Sequence, residues 1–307
     1  MYSYENYHKV KEEIEKRRTD AIARADARAE KLRSESEEIR IIDEQLSKTG
    51  LLIFKAACSG GDIAPIREQN KLLNARRGEI LKKMGYPEDY SDIKYFCEKC
   101  SDSGYIGGAK MCSCFHEALV KATIASSGIG DLIEKQSFEN FSLDHYKNNE
   151  KAYERMAQNL DRAKAYVRDF KSNKGNLLLV GTTGTGKTHI STAIAREVIE
   201  LGYDVIYDSI HNIISDFEDD KFKSGYSYTE QKSEKYLECD LLIIDDLGTE
   251  FATPFYTSGL YEIINTRLLA GRPTVISTNL NQKQLQERYG VQIASRIAGC
   301  FTPLLFA

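Results

Sequence analysis

Leu177-Leu-Leu-Val180 runs straight into Gly181-Thr-Thr-Gly-Thr-Gly-Lys187-Thr188, and a helical pattern opens at His189. An apolar run, a glycine-rich loop and a helix in that order make a strand, a phosphate-binding loop and a helix. Gly181, Thr182, Thr183, Gly184, Thr185 and Gly186 let backbone N–H groups curl around a triphosphate. Lys187 reaches the outer phosphates, and the Thr188 hydroxyl meets Mg²⁺ at a helix N-terminus. The flanking strand and helix separate this reading from a glycine-rich turn that touches nothing. ATP and Mg²⁺ are therefore the expected ligands.

A second apolar run, Leu241-Leu-Ile-Ile244, ends in Asp245 and Asp246. A carboxylate at the end of a strand beside the phosphate loop holds the Mg²⁺ water shell, and a second acid orients the attacking water. Asp245 takes the first role and Asp246 the second. Asp is shorter than the Glu usual at that place, so Glu250 stays a rival. A third run, Thr274 to Thr278, leads into Asn279, which either senses the γ-phosphate and positions water or serves as a strand-end turn residue. Arg296, within Ser295-Arg-Ile297, either caps a helix or pairs with an acid, or it stabilises transition-state charge on a neighbour's nucleotide. With Val205 to Tyr207 and Leu304 to Phe306, five β-rich runs alternate with helical segments. That alternation predicts an α/β fold, a parallel sheet covered by helices.

The 307 residues, 41% hydrophobic and 29% charged, suffice for two domains with a real core. A formal charge of -4 excludes a surface that is basic everywhere, so any nucleic-acid contact has to come from a local patch. The segment Lys221 to Tyr228 interleaves cations with aromatics, as strand-binding surfaces do, and reads equally as a solvated loop. No apolar run approaches membrane-spanning length, and the chain reads as cytoplasmic, with no membrane partner.

Tyr4 to Leu46 is rich in Glu, Lys, Arg and Ala, with one apolar stripe through Ile22, Ala25, Ala29, Leu32, Ile39, Ile42 and Leu46, interrupted at Ser36. A second helical pattern runs from Ile66 to Met84, after a turn at Ser59-Gly-Gly61, and Gly85-Tyr-Pro87 stops it. Residues 1–92 thus read as a helical hairpin that binds a partner or stands as a solvated arm. Next come Cys97, Cys100, Cys112 and Cys114, two close pairs across a glycine-rich turn. Thiolates at this spacing are ligands for a structural, tetrahedral Zn²⁺, with His116 as a possible substitute for Cys112 or Cys114. The knuckle covers 93–116, a polar helical linker 117–172, and the ATPase domain 173–307.

In order and kind these motifs resemble the AAA+ ATPases, and among them the replicative helicase loaders of the DnaC/DnaI type. The carriers are Gly181 to Thr188, Asp245-Asp-Leu-Gly-Thr-Glu250, Asn265-Thr-Arg267, Ser277-Thr-Asn279 and Ser295-Arg-Ile297. Cys97 to Cys114 and the preceding Gly85-Tyr-Pro-Glu-Asp-Tyr90 complete the set. The resemblance implies a five-stranded sheet in the order 5-1-4-3-2. It also implies ATP and Mg²⁺ on Lys187 and Thr188, Asp245 and Asp246 as the Walker B acids, Asn279 as sensor I and Arg296 as arginine finger. It implies a replicative DNA helicase and single-stranded DNA as partners, and self-assembly through the AAA+ domain. Such loaders continue to a sensor II arginine where this chain stops at Leu304-Leu-Phe-Ala307, so a truncated C-terminus is expected. IstB-like ATPases that assist a transposase share the core and generally lack the knuckle. A small-molecule kinase would need an acceptor site, of which the sequence shows no sign, and a scaffold with negligible turnover would keep the loop without fast hydrolysis.

Overall fold

The computed structural model describes residues 2–59, 61–172, 175–222, 232–250 and 253–306. They fall into two compact units, residues 11–115 and residues 1–10 with 116–307.

The helical stripe of the N-terminal region divides where the sequence shows its interruption. Helices α1 (Tyr4–Glu35) and α2 (Glu37–Ser59) meet at Ser36, whose hydroxyl accepts the Ile39 N–H at 3.3 Å and so caps the second helix. Three helices result instead of a two-helix hairpin, and α2 pairs with α3 (Ala64–Lys83). Leu32, Ile39, Ile42, Ile80 and Leu81 form the small core, with Leu73, Met84 and Tyr86 packed on it. Helix α3 ends in a Schellman turn, in which Tyr86 N–H donates to Leu81 O at 2.9 Å and Gly85 N–H to Lys82 O at 3.1 Å. Around the core the unit is laced by charge: Asp43 accepts from Arg77 at 2.8 Å and from Arg33 at 3.2 Å. The unit closes with a two-stranded hairpin, β1 (Tyr105–Ile106) against β2 (Lys110–Met111).

Helices α4 (Ser113–Ser126), α5 (Leu132–Lys135) and α6 (Glu150–Arg168) lead into the sheet. Its strands are β3 (Asn176–Val180), β4 (Val205–Ser209), β5 (Leu241–Leu247), β6 (Thr274–Thr278) and β7 (Phe301–Leu305). All pairs are parallel, in the order β4-β5-β6-β3-β7. Counted from the phosphate-loop strand this is 5-1-4-3-2, the expected arrangement. The strands alternate between two cores, as a sheet covered on both faces requires. Leu177, Leu179, Tyr207, Leu241 and Ile243 face α6 and α7 (Lys187–Glu200). Leu178, Ile206, Leu242, Ile244 and Ile276 lie in the opposite core. There they meet α8 (Ile210–Phe222), α9 (Glu234–Glu238), α10 (Pro254–Leu269) and α11 (Gln282–Cys300). Helix α11 kinks at Gly290, whose φ of 85° and ψ of 166° leave the helical region.

Edge strand β4 is covered: Tyr207 N–H donates to Ser127 O at 2.7 Å. The approach is so close that a Cβ at Gly128 would collide with Tyr207 O, which only glycine avoids. Among the described residues no helix is long and apolar enough to cross a membrane. Residues 223–231 lie outside the described residues, so most of the cation-and-aromatic segment does too. Of its flanks, Lys221 sits 5.1 Å from the Phe255 ring centre, and Lys232 and Lys235 pair with Asp219 and Asp216 at 2.6 and 2.9 Å.

Candidate functional site

Strand β3 delivers the phosphate loop into the fork between two strands. Gly181 N–H donates to Thr278 O at 3.1 Å, which ties the loop to β6, and α7 starts at Lys187. Gly186 turns the chain with φ 84°, and a Cβ there would come within 2.9 Å of the Phe141 ring. Lys187 as a residue is nearly buried, at 5% exposure, and its ammonium donates to Gly181 O at 2.8 Å and Thr182 O at 2.9 Å. Burial lowers its pKa, and the charges of Asp246 and Asp245 work against that shift. A cation curled inside its own loop, beside the free N–H groups of a helix start, suits an anion. The donor set fits a polyphosphate.

Asp245 lies in the C-terminal half of β5, which is separated from β3 by β6. Its Oδ2 lies 3.5 Å from Thr188 Oγ1 and accepts from the Tyr207 phenol at 2.8 Å, while the Ser277 hydroxyl donates to Oδ1. The structure therefore brings Thr188 and Asp245 together, as a shared Mg²⁺ needs. Asp246 follows in a left-handed conformation, φ 51°, with its N–H on Ser277 Oγ at 2.8 Å and its carboxylate exposed. Desolvation raises its pKa first, Asp245 adds to the rise, and Lys187 opposes it.

Glu250 is engaged elsewhere. Its carboxylate accepts from Gly248 N–H at 2.9 Å and from Tyr289 OH, with Arg288 at 3.6 Å, and its side chain is only 2% exposed. Of the two rival acids, Asp246 is the one open to solvent beside Lys187. Asn279 is exposed at the end of β6, and a Cβ at Gly248 would come 3.4 Å from its Oδ1, so it overhangs the turn after Asp246. Arg296 is not brought to the loop of its own chain. Its guanidinium donates to Asn265 Oδ1 at 3.1 Å and Tyr261 OH at 2.8 Å, both on α10, and stacks 4.6 Å from the Tyr261 ring centre.

Two features escaped the sequence reading. The 137–146 segment, read as part of a polar linker, walls the phosphate loop. Tyr146 OH donates to Thr185 O at 3.0 Å, and His189 Nε2 lies 2.9 Å from both Ser137 O and Asn140 Oδ1. The Phe141 ring stands edge-on to His189 at 5.1 Å. Between this wall and Gly184–Gly186 lies a cavity of about 570 Å³. Phe138, Phe141 and Tyr146, aromatics without helical period, were the available signal. The second is the role of Arg267, which the sequence singled out only as part of Asn265-Thr-Arg267: it is wholly buried, and its guanidinium donates to Tyr236 O at 2.8 Å, Pro273 O at 2.7 Å, Cys239 O at 3.1 Å and Thr274 Oγ1 at 3.0 Å. It ties α10 to the turns before β5 and β6.

In the other unit the sulfurs of Cys97, Cys100, Cys112 and Cys114 lie within 4.8 Å of one another. Cys97–Cys112 measures 3.7 Å and Cys100–Cys114 3.5 Å. A Zn–S bond of about 2.3 Å sets the edges of a sulfur tetrahedron at about 3.8 Å, so the four thiols fit Zn²⁺. Asp102, fully buried, accepts Phe96 N–H at 2.8 Å and Cys97 N–H at 3.0 Å and pairs with Arg17 at 2.9 Å, which fixes the first knuckle. His116 is not in the cluster; its Nε2 lies 3.2 Å from Glu200 O. Of the isolated cysteines, Cys239 is buried and Cys300 exposed, while the side chain of Cys58 lies outside the described set.

A family profile described as IstB-like ATP binding protein matches residues 129–295, more than half of the chain. The chain belongs to this family. It is an AAA+ ATPase, and its similarity to the DnaC type of loader is borne out. The replicative helicase loader DnaC of Escherichia coli (strain K12) is 29% identical over 178 residues, 58% of this chain and 69% of that protein. The phage-like element PBSX protein XkdC of Bacillus subtilis (strain 168) is 29% identical over 222 residues, 67% of this chain and 79% of that protein. A solved structure of the DnaC helicase loader covers 55% of this chain and 98% of its own, with 22% identity and a TM-score of 0.47.

Proposed function

We propose that this protein is an ATP-driven loader that binds a replicative DNA helicase and places it on single-stranded DNA. The observation that carries the reading is the division of the nucleotide machinery. Lys187, Thr188, Asp245 and Asp246 converge at one loop, while Arg296 is held on α10. In this reading the 181–186 backbone cradles the phosphates and Lys187 neutralises the outer ones. Thr188 and Asp245 hold Mg²⁺, which supplies charge neutralisation at the phosphates when bound. Asp246 orients water and Asn279 senses the γ-phosphate. The cavity beside Phe141 and Tyr146 takes the base. Arg296 completes the site of an adjoining copy, which makes assembly a condition of fast hydrolysis. Residues 1–92 and a zinc-filled 93–116 knuckle hold the helicase, 117–172 joins them to the ATPase, and 173–307 self-assembles. The 221–228 segment, by its sequence, is the candidate DNA contact.

Lys187→Ala is expected to abolish nucleotide binding, whereas Arg296→Ala keeps binding and loses assembly-stimulated hydrolysis by about 10³-fold. Equal loss of binding in both variants would remove the trans role of Arg296.

The matched family favours one second reading, an ATPase that assists a transposase. The four cysteines lie outside the matched 129–295 segment and speak for the loader. Co-purification of the full chain with the replicative helicase of the same source decides between them. A zinc- and ATP-sensitive complex supports the loader. No complex under any of these conditions, with transposase retained, overturns it.

A further inference from the structure

The Walker-type acid is gripped by a residue that no phosphate-site pattern includes. Asp245 Oδ2 lies 2.8 Å from the Tyr207 hydroxyl, closer than its 3.5 Å to Thr188 Oγ1. Tyr207 stands on the edge strand β4, 6% exposed, in the same buried core as Leu179, Ile190 and Ile243. Its backbone is clamped by the bond from its N–H to Ser127 O and by the close passage of Gly128. The proton inventory leaves one arrangement. Asp245 Oδ2 accepts, and the Ser191 hydroxyl, 3.1 Å from the phenol oxygen, carries a proton of its own. The single phenolic proton therefore goes to Asp245. An ordinary phenol is protonated throughout the neutral range, so the donor keeps that proton.

We propose that Tyr207 is a positioning residue for Asp245, holding its carboxylate in the orientation that receives Mg²⁺ without itself touching nucleotide or metal. The inference rests on the reading of Asp245 as the metal-side acid. A carboxylate turns freely about Cβ–Cγ, and ligands of this kind are oriented by hydrogen bonds behind them; losing one such bond weakens metal affinity by about 10- to 100-fold. Ser277 holds the other oxygen, so Asp245 is gripped from both sides, and the phenol supplies the grip from β4.

The test is binding of a fluorescent ATP analogue to the full-length Tyr207→Phe protein, titrated with Mg²⁺ and repeated in chelator. The expected result is a half-saturating Mg²⁺ concentration raised about tenfold, with affinity in chelator within about twofold of the parent. A Mg²⁺ midpoint that does not move overturns the proposal. An equal loss with and without Mg²⁺ also overturns it, because that is the mark of a packing role. Asp245→Asn separates the premise from the inference. If Asp245→Asn leaves the Mg²⁺ requirement in place, the metal-side reading of Asp245 falls. If it moves the midpoint and Tyr207→Phe does not, only the role of the tyrosine falls. Adding Tyr207→Phe to Asp245→Asn is expected to change nothing further, since the phenol then has no carboxylate to orient.

Discussion

The two units solve the problem of holding a chain together in opposite ways. The 11–115 unit has a small apolar core on Leu32, Ile39, Ile42, Ile80 and Leu81, and it adds surface ion pairs and four clustered thiols. The nucleotide unit buries a sheet on both faces and carries polar groups into that interior, Arg267, Lys187 and Ser277 among them. A unit with few apolar residues to bury depends on a staple, whereas one with a full core tolerates buried charge and uses it to fix turns and ligands.

Removing the staple is therefore expected to have the largest effect. Structural zinc in small modules contributes on the order of 10 kcal/mol of folding free energy. Chelation, or Cys97→Ser with Cys112→Ser, should open the 97–114 region to protease while nucleotide affinity stays within about twofold. A parallel fall in nucleotide affinity would show that the units are not separate in energy. Absence of zinc from the native protein by elemental analysis would remove the staple from the comparison.

What was legible in the sequence follows the same division. The phosphate loop, the Asp245 strand end and the thiol spacing depend on near neighbours in the chain, and each stood out from a short stretch. The sheet order came from the family resemblance, since alternation yields a parallel sheet and no order. Tyr207 and the 137–146 wall act across 38 and 39 positions of chain, through Asp245 and Thr185, so no local pattern announced them. The Asp246–Glu250 ambiguity was likewise beyond reach, because the bond that withdraws Glu250 comes from Tyr289, 39 positions away. Ser36 marked an interruption in the sequence, but the apolar positions on its two sides read as one stripe, so the hairpin reading counted two helices where there are three.

Arg267 tests the other half of the comparison. Replacing it with Met takes the guanidinium donor from the carbonyls of Tyr236 and Cys239 and leaves Pro273 O with only the Leu242 N–H at 3.3 Å, in a closed interior, and about 3–5 kcal/mol of stability should go. Arg76→Met breaks a solvent-exposed pair with Glu38 in the helical unit and should leave stability unchanged within error. Urea unfolding of both variants measures the contrast, and similar losses at the two sites would erase it.

The smallest expected effect is a pH dependence at Asp204, where buried charge is a burden. Burial, and next the Asp240 charge, push its carboxyl from 3.8 up to about 6. Between those values the folded protein holds a proton that the unfolded chain has released, so stability contributed by this group falls as pH rises from about 4 to about 6. Above 6 the penalty is complete, at most about 3 kcal/mol, since each tenfold change in proton affinity is worth about 1.4 kcal/mol. Asp204→Asn removes the ionisation while keeping the backbone N–H that donates to Asp240 Oδ2 at 3.1 Å. The variant should therefore be more stable than the parent at pH 7 and indistinguishable from it near pH 4. Chemical unfolding at both pH values, read as the variant-minus-parent difference, isolates the group from every other titration. A difference that stays flat across that window would mean that the Asp204 carboxyl is hydrated and that this corner of the nucleotide unit carries no buried charge.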